Sequence, residues 1–175
     1  MCIRLATLDD IPALTALIAD SVRGLSPGFY SAAQVEAALI AVFGVDTQLI
    51  DDGTYYVVDG ADGPAAAGGW SRRRTLYGGD QAKDADDPLL DPHTEAARIR
   101  AFFVHPSYAR QGLGRRLYNE CAHAARDAGF NRLELMATLP GVPLYEALGF
   151  VAAEHVVVPL NHGVDLPLIR MTRDC

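Results

Sequence analysis

A buried strand, a glycine turn and a long helix follow one another in the middle of the chain, and this succession constrains the fold more than any other feature. Residues 97–104 are apolar except for two arginines, which predicts a buried strand that Pro106 ends. Residues 112–128 bring apolar side chains onto one helical face and are followed by Gly129, which predicts an amphipathic helix. The chain therefore combines sheet and helix within one short stretch.

The predicted strand carries apolar side chains on both of its faces. Because side chains alternate along a strand, we expect Ile99, Ala101 and Phe103 on one face of the sheet. Phe102 and Val104 would then point to the other face. A strand that is apolar on both faces is typical of a sheet that is covered on both sides.

Shorter patterns predict the other elements. The apolar spacing after Thr7 or Asp9 predicts a first helix that ends near Gly24, and Ser31 is the expected cap of a second helix. The remaining predicted elements are a short helix at residues 142–148 and strands at residues 3–6, 54–58, 65–71, 133–136, 156–160 and 166–171. Turn residues separate 54–58 from 65–71 and 156–160 from 166–171, so each pair is expected to form an antiparallel hairpin.

Length and charge limit the classes of function. The 175 residues fit one domain, and 50% of them are hydrophobic, as in a folded globular protein. The net charge of -7 argues against a surface-wide attraction to nucleic acid or anionic lipid. The longest apolar run, residues 37–45, is much shorter than the roughly 20 residues of a membrane-spanning helix. We therefore expect a single domain over residues 1–175, with no nucleic-acid partner and no membrane partner.

The cysteines and the N-terminus indicate the compartment. Cys2, Cys121 and Cys175 are an odd number at wide spacing, which matches neither a disulfide framework nor a metal site. Asp9 and Asp10 come before any apolar signal core could form, so we expect no secretory signal. The expected protein is cytoplasmic and holds no metal.

Residues 72–95, which we call the aspartate-rich loop, lack any apolar periodicity. They hold three arginines and then five aspartates, at positions 80, 84, 86, 87 and 91. With one lysine, residues 80–91 carry a net charge of -4, which is more than half of the -7 of the whole chain. We interpret the segment as a long, solvated loop inserted before the buried strand, although loops longer than about 12 to 15 residues are often functional lids.

The glycine turn between the buried strand and the helix has the chemistry of an anion site. Its sequence is Arg110-Gln111-Gly112-Leu113-Gly114-Arg115-Arg116, which has three cations in seven residues. Glycine lets a ligand approach the backbone, and the first N–H groups of a helix have no internal partner and carry partial positive charge. A diphosphate suits these features, although the pattern is neither the dinucleotide fingerprint nor a Walker loop. The alternative is that the two glycines only let the helix pack closely on the strand.

A second motif follows the next predicted strand. It reads Pro143-Leu144-Tyr145-Glu146-Ala147-Leu148-Gly149-Phe150. The order of buried strand, glycine turn, long helix, strand and this motif resembles the GCN5-related N-acetyltransferases (GNAT family), which transfer an acyl group from acyl-CoA to an amine. The resemblance spans residues 3–171. It implies an α/β (α+β) fold with a mixed, mostly antiparallel central sheet that is flanked by helices and splayed between its fourth and fifth strands.

The resemblance also implies which residues bind acetyl-CoA. The end of the fourth strand, at Phe102, Phe103 and Val104, would hold the pantetheine arm. Backbone N–H groups of the glycine turn would hold the pyrophosphate. This role falls on Arg110, Gln111, Gly112, Leu113, Gly114 and Arg115. The chain departs from the family pattern at Ala109, where Gln or Arg is usual, so one side-chain contact is lost while the backbone contacts remain.

Tyr145 matches the family tyrosine that protonates the departing thiolate, and the alternative is a tyrosine that only packs in the core. A thiol pKa near 8.5 and a phenol pKa near 10 oppose full proton transfer by roughly 2 kcal/mol. We therefore expect Tyr145 to donate a strong hydrogen bond, or to transfer its proton only if its pKa is lowered. The splayed strand end at Phe103-Val104 could add a backbone N–H for the developing oxyanion.

The base for the reaction is not assigned by the sequence. Direct acyl transfer needs a neutral amine, so a base or a water chain must take a proton from the ammonium form. Some family members carry a glutamate on the fourth strand for this purpose, and the matching position here is Arg98. His93, Glu95, His105 and Glu154 have suitable side chains but belong to no motif.

The resemblance predicts an N-acetyltransferase that moves an acetyl group from acetyl-CoA to a primary amine of a small molecule or a peptide N-terminus by direct attack. The acceptor is expected near residues 24–30 and beneath the aspartate-rich loop, whose charge could attract a cation. A non-catalytic acyl-CoA-binding or sensing module is the alternative function, and a nucleotide-phosphate binder is a third. A homodimer is expected because two-fold dimers are the commonest soluble oligomers.

Overall fold

The computed structural model describes all of residues 1–175 as a seven-stranded sheet with helices on both faces. The strands are β1 Ile3–Leu5, β2 Tyr55–Asp59, β3 Pro64–Ser71, β4 Ala97–Val104, β5 Arg132–Thr138, β6 Val151–Pro159 and β7 Asp165–Asp174. The helices are α1 Ile11–Leu25, α2 Ala32–Ala41, α3 Thr47–Asp51, α4 Leu113–Asp127 and α5 Val142–Ala147. The strands lie in the order β1-β2-β3-β4-β5-β7-β6, so the expected mixed sheet is confirmed.

The contact between β4 and β5 is parallel in an otherwise antiparallel sheet. It consists of two residue pairs, Ala97 with Leu133 and Arg98 with Glu134. Beyond Arg98 the two strands separate, and the rest of β4 faces a gap instead of β5. The predicted splay between the fourth and fifth strands is therefore confirmed, and it opens toward the C-terminal ends of both strands.

Helices cover both faces of the sheet. On one face, the α4 face, Cys121 and Tyr145 are buried in one cluster with Leu135. On the other face, the α1 face, α1 and α2 bury their apolar side chains against β7, as Ile18 does with Leu168. No helix of the protein is both long enough and apolar enough to span a bilayer.

Most predicted elements lie where their patterns place them. β4 has the predicted bounds, and the Ser31 hydroxyl caps α2 by accepting a hydrogen bond from Gln34 N–H at 3.1 Å. The sequence prediction missed α3, because a helix of five residues is too short to show an apolar stripe. The predicted strand at residues 156–160 also misses the first half of β6, because most side chains of β6 are exposed and show no alternation of buried and exposed residues.

A β-bulge in β4 overturns the predicted alternation of that strand. The register of β4 on β3 shifts by one residue between Arg100 and Phe103, and Ala101 there has a left-handed backbone with a φ of 53°. The extra residue reverses the alternation, so Ile99 lies on the α4 face while Phe103 lies on the α1 face. The prediction that Ile99, Ala101 and Phe103 share one face is wrong, because alternation assumes a regular strand. Phe102 is left on the α4 face.

Buried ions attach the aspartate-rich loop to the sheet. Asp46 and Arg100 form an ion pair at 2.8 Å, and only 1% and 3% of these two residues are exposed. Lys83 of the loop lies 2.8 Å from the other oxygen of Asp46. Arg100 also donates to the loop carbonyl oxygens of Thr75 at 3.0 Å and Gly78 at 2.7 Å. The prediction of a solvated loop is therefore wrong for these inner residues, because the buried charge of Arg100 needs them in place of water.

Asp46→Asn tests whether this buried ion pair stabilises the fold. Asparagine keeps an oxygen that can cap α3, but it leaves the buried charge of Arg100 uncompensated. We expect the free energy of unfolding to fall by about 3–5 kcal/mol. Asp86→Asn makes the same charge change at an exposed position and should alter stability by less than about 0.5 kcal/mol. Urea unfolding followed by circular dichroism measures both, and equal losses would contradict the role given to Asp46.

Candidate active site

The glycine turn before α4 presents a row of unpaired backbone N–H groups. The N–H groups of residues 110–115 donate to no acceptor within the protein, and the helical hydrogen bonds begin with Arg116 N–H to Gly112 O at 3.1 Å. No side chain caps the helix. Such N–H groups attract an anion, because they lack partners and the helix dipole makes this end positive. They belong to the same six residues for which the sequence predicts pyrophosphate binding.

The two glycines of the turn have different roles. Gly112 has a left-handed backbone with a φ of 80°, as does the neighbouring Arg110 with a φ of 61°. A Cβ on Gly112 would meet nothing within 4 Å, whereas a Cβ on Gly114 would lie 2.8 Å from Leu144 in α5. Gly114 therefore lets α4 approach α5 closely, whereas the packing alternative expected a close approach to the strand. Gly112 serves the turn itself and leaves the space beside the free N–H groups open.

The three arginines of the turn do not form one cationic cluster. Arg116 donates to the carbonyl oxygen of Met1 at 3.0 Å, and Arg115 lies 3.4 Å from that of Ala147. The side chain of Arg110 has no hydrogen-bond partner within the protein. The attraction for an anion therefore depends on the backbone N–H groups more than on the three side chains.

Tyr145 lies on the α4 face beside the splayed end of β4. Its ring packs edge-to-face on Phe102 and Phe150, with centroid distances of 6.4 Å and 5.9 Å. The residue is 9% exposed, and its hydroxyl has no hydrogen-bond partner within the protein. Trp70 Nε1 is the one side-chain polar atom that is both fully enclosed and unpaired. The Tyr145 hydroxyl is therefore not sealed in the core and can reach a ligand.

The surroundings of Tyr145 determine which chemistry its hydroxyl can perform. Burial raises the pKa of the Tyr145 phenol above the ordinary value of 10.0. The phenol therefore keeps its proton at neutral pH and holds it more firmly than an exposed tyrosine would. Of the two roles expected from the sequence, hydrogen-bond donation is favoured, because proton transfer would require a lowered pKa.

The end of β4 presents one edge to β3 and the other edge to the gap. His105 N–H donates to β3 at 2.9 Å, while Val104 N–H points the opposite way and donates to Ser21 Oγ of α1 at 3.2 Å. If N–H groups alternate in direction again after the bulge, we expect Phe102 N–H on the same side as that of Val104. Phe103 N–H points to β3. The oxyanion donor expected at Phe103-Val104 stays a prediction, and of these two N–H groups that of Val104 is the one that points away from β3.

The three residues predicted to hold the pantetheine arm do not share a face of the sheet. The side chain of Phe102 lies near Tyr145 on the α4 face. Phe103 lies on the α1 face, where its ring centroid is 6.3 Å from that of Phe43. Backbone groups of Phe102 and Val104, rather than a common side-chain surface, are therefore what this strand end offers a ligand in the gap.

Arg98, at the position where some relatives have a glutamate, pairs with a glutamate of the neighbouring strand. Its guanidinium lies 2.8 Å from one oxygen of Glu134, and Arg170 of β7 lies 3.0 Å from the other oxygen. This carboxylate is thus held by two cations. Glu134 belongs to no motif of the sequence, although its place between Leu133 and Leu135 puts it on the α1 face. Its pairing with Arg98 depends on the register of strands that are far apart in the chain.

The other candidate bases are dispersed. His93 and Glu95 lie in the aspartate-rich loop, and Glu154 lies on the outer strand β6. His105 follows β4 directly, and its Nε2 atom lies 4.0 Å from Asp20 of α1. The structure does not bring these groups together, and the base remains unassigned.

Comparison with known proteins identifies the family. A family model described as the Acetyltransferase (GNAT) family matches residues 32–150. The chain belongs to this family. The resemblance that the two motifs carry is confirmed, and with it acetyl transfer from acetyl-CoA as the general activity.

Solved GNAT structures share the fold over nearly the whole chain. A GCN5-related N-acetyltransferase (Aminotransferase, Class-II) from Rhodopseudomonas palustris has a TM-score of 0.72 and 19% identity over 99% of this chain and 95% of that one. The ribosomal-protein-alanine N-acetyltransferase of Brucella melitensis has a TM-score of 0.65 and 17% identity over 100% of both chains. The yncA protein of Salmonella typhimurium, solved with its cofactor acetyl-CoA, has a TM-score of 0.63 and 19% identity over 99% and 93%. Among curated protein sequences, none matches this chain significantly.

Gly112→Ala tests the anion site at the glycine turn. A left-handed alanine is strained by roughly 1–2 kcal/mol, so the turn should relax and its N–H groups should lose their common direction. We expect CoA to bind about tenfold more weakly by isothermal titration calorimetry. Gly53→Ala is the matched control, because Gly53 has a φ of 67° and equally open space but follows α3. An equal loss of affinity in both variants would contradict a specific role for the turn.

Proposed function

We propose that the protein is an N-acetyltransferase that transfers the acetyl group of acetyl-CoA to a primary amine of a small molecule or a peptide N-terminus by direct attack. The observation that carries the proposal is that β4 has an open edge beyond Arg98 and leads into a turn with six unpaired N–H groups, while the ring of Tyr145 packs on Phe102 of the same strand. They offer an anion site, donors for a thioester and a donor for its leaving group. The relative solved with acetyl-CoA supports the choice of co-substrate.

The described residues fit acetyl-CoA at this gap. The N–H groups of residues 110–115 would donate to its diphosphate, whose charge suits the positive end of α4. Phe102 and Val104 would bind the pantetheine arm through backbone groups on the gap side of β4. Val104 N–H must first leave Ser21 Oγ, which it meets at 3.2 Å. What acetyl-CoA supplies when bound is an activated acetyl group.

The bond changes of the reaction define what the protein must do. A C–N bond forms while the C–S bond of the thioester breaks, the amine loses a proton to solvent, and the leaving thiolate gains one from solvent. The backbone N–H of Phe102 would stabilise the charge that develops on the carbonyl oxygen. The Tyr145 hydroxyl would donate a hydrogen bond to the departing sulfur. Because burial raises the pKa of this phenol, the hydrogen bond is not expected to become full proton transfer.

The acceptor amine would approach the gap from the α1 face. Phe103 of β4 and Met136 of β5 pack against the same buried cluster on this face. The hydroxyl of Tyr30, at the end of the loop after α1, donates to Pro167 O at 2.6 Å and accepts from Leu139 N–H at 3.0 Å. These two bonds hold the loop at residues 24–30 beside the ends of β5 and β7, which supports an acceptor site there.

A non-catalytic acyl-CoA-binding module is the second candidate function. The observation that favours it is the pairing of Arg98 with Glu134, which leaves no free carboxylate at the position where some relatives have one. Thiol release from acetyl-CoA across a panel of amines separates the two candidates. Release that depends on the amine supports the enzyme, and CoA binding without release supports the module. Equal competition of ATP or NAD with CoA would instead favour a nucleotide-phosphate binder.

Tyr145→Phe removes the hydroxyl and keeps the packing of the ring. We expect kcat to fall about 100-fold while the Kd for CoA changes less than about twofold, because the hydroxyl acts on the leaving group. Tyr118→Phe is the matched control, since Tyr118 lies in the same buried cluster and its hydroxyl accepts from Arg173 at 2.6 Å. The control should keep its kcat. If Tyr145→Phe releases thiol as fast as the wild type, Tyr145 is not the donor and only packs in the core.

A further inference from the structure

A cavity on the α1 face contains no residue that has a role so far in the reaction. It has a volume of about 400 Å³ and lies between the end of α2, the aspartate-rich loop and the end of β6. Its apolar wall includes Tyr77, Val158 and Leu160. All three pack against the buried cluster that Phe103 and Met136 also contact. The cavity therefore lies on the face of the sheet from which the acceptor would approach, and its wall shares a buried cluster with Phe103 and Met136.

The cavity carries one uncompensated charge. Lys83 and Asp84 are the two charged residues that line it. The ammonium of Lys83 lies 2.8 Å from Asp46 and 3.6 Å from Asp87, so its charge is neutralised by the loop attachment. Asp84 is exposed and has no ion pair or hydrogen bond within the protein. A ligand in this cavity therefore meets an apolar surface and one free carboxylate.

The attachment of Lys83 also limits where Asp84 can move. Because the adjacent ammonium is only 11% exposed and is paired with buried Asp46, the backbone beside Asp84 is held against the sheet. Because this backbone is already fixed, Asp84 loses less conformational entropy on binding a cation than a carboxylate on a flexible loop would.

We propose that this cavity binds the distal end of the acceptor, and that Asp84 selects amines that carry a second, cationic group, such as aliphatic diamines. This inference rests on the proposed N-acetyltransferase function. The amine that attacks must be neutral, and a carboxylate beside it would favour the ammonium form. A cation at the other end of the acceptor has no such conflict. The apolar wall formed by Tyr77, Val158 and Leu160 suits the methylene groups between the two nitrogens.

The test compares pentane-1,5-diamine with pentan-1-amine, which has the same chain length but no second cation. In the wild type we expect kcat/KM, measured by thiol release at low ionic strength, to be about fivefold higher for the diamine. Asp84→Asn should bring the ratio to about two, because the diamine has two equivalent amino groups that can attack. Asp86→Asn is the matched control, because Asp86 is also an exposed aspartate of the same loop but does not line the cavity. Added salt should lower the ratio in the wild type.

Two outcomes would overturn the inference: a wild-type ratio of about two or less, or the same loss of preference in both variants. Absence of turnover with every amine would count against the proposed transferase function, and the cavity is then tested by binding. Calorimetric titration of pentane-1,5-diamine into the CoA-bound protein should show tighter binding to the wild type than to Asp84→Asn. Equal binding to both, or no binding, would overturn the cation site independently of turnover.

Discussion

Two residue pairs join the two halves of the sheet, and the functional geometry depends on how short this junction is. β4 and β5 pair at Ala97–Leu133 and Arg98–Glu134 and then diverge. A strand that leaves its neighbour exposes N–H and C=O groups that need other partners, and here those groups face the gap. The Arg98–Glu134 ion pair lies on the last pair of the junction, and Arg170 extends it to β7. Helices on both faces then hold the diverging halves together.

The bulge at Ala101 is the second constraint, because it separates the two sides of the reaction. It places Phe102 on the α4 face with Tyr145, where the leaving group would lie, and Phe103 on the α1 face, from which the acceptor would come. The hydroxyl of the buried Tyr55 donates to the carbonyl oxygen of Ala101 at 3.2 Å and so supports the irregular backbone. Without the bulge, Phe102 and Phe103 would exchange faces, and the leaving-group side and the acceptor side would no longer be separated in this way.

Some aspartates of the loop accept hydrogen bonds that shape it, whereas others have no partner within the protein. Asp80 and Asp87 accept hydrogen bonds from backbone N–H groups at 3.0 Å and 2.7 Å, and Asp91 accepts one within its own turn at 2.9 Å. Asp84 and Asp86 are exposed and have no such partners. The run of aspartates therefore mainly shapes the loop. Of the two free aspartates, Asp84 borders the cavity, and this is why a cationic acceptor is the proposed ligand.

The sequence by itself determined the local pieces of the site. The strand at residues 97–104, the glycine turn, α4 and the motif at residues 143–150 could be predicted because periodicity, caps and breakers act between near neighbours. Those pieces were enough to predict the family, the splayed sheet and the positions of the six free N–H groups. They also pointed to Tyr145, although not to the burial that raises the pKa of its phenol.

Only the tertiary structure decided how these pieces face one another. Glu134 lies opposite Arg98, and Asp46 neutralises Arg100, through contacts between residues 36 and 54 positions apart in the chain. The bulge at Ala101 likewise depends on how β3 and β4 align. Register and long-range ion pairs arise when distant segments meet, so no local pattern of residues specifies them. The cavity beside Asp84 also forms between segments that are distant in the chain, so no local pattern predicts it.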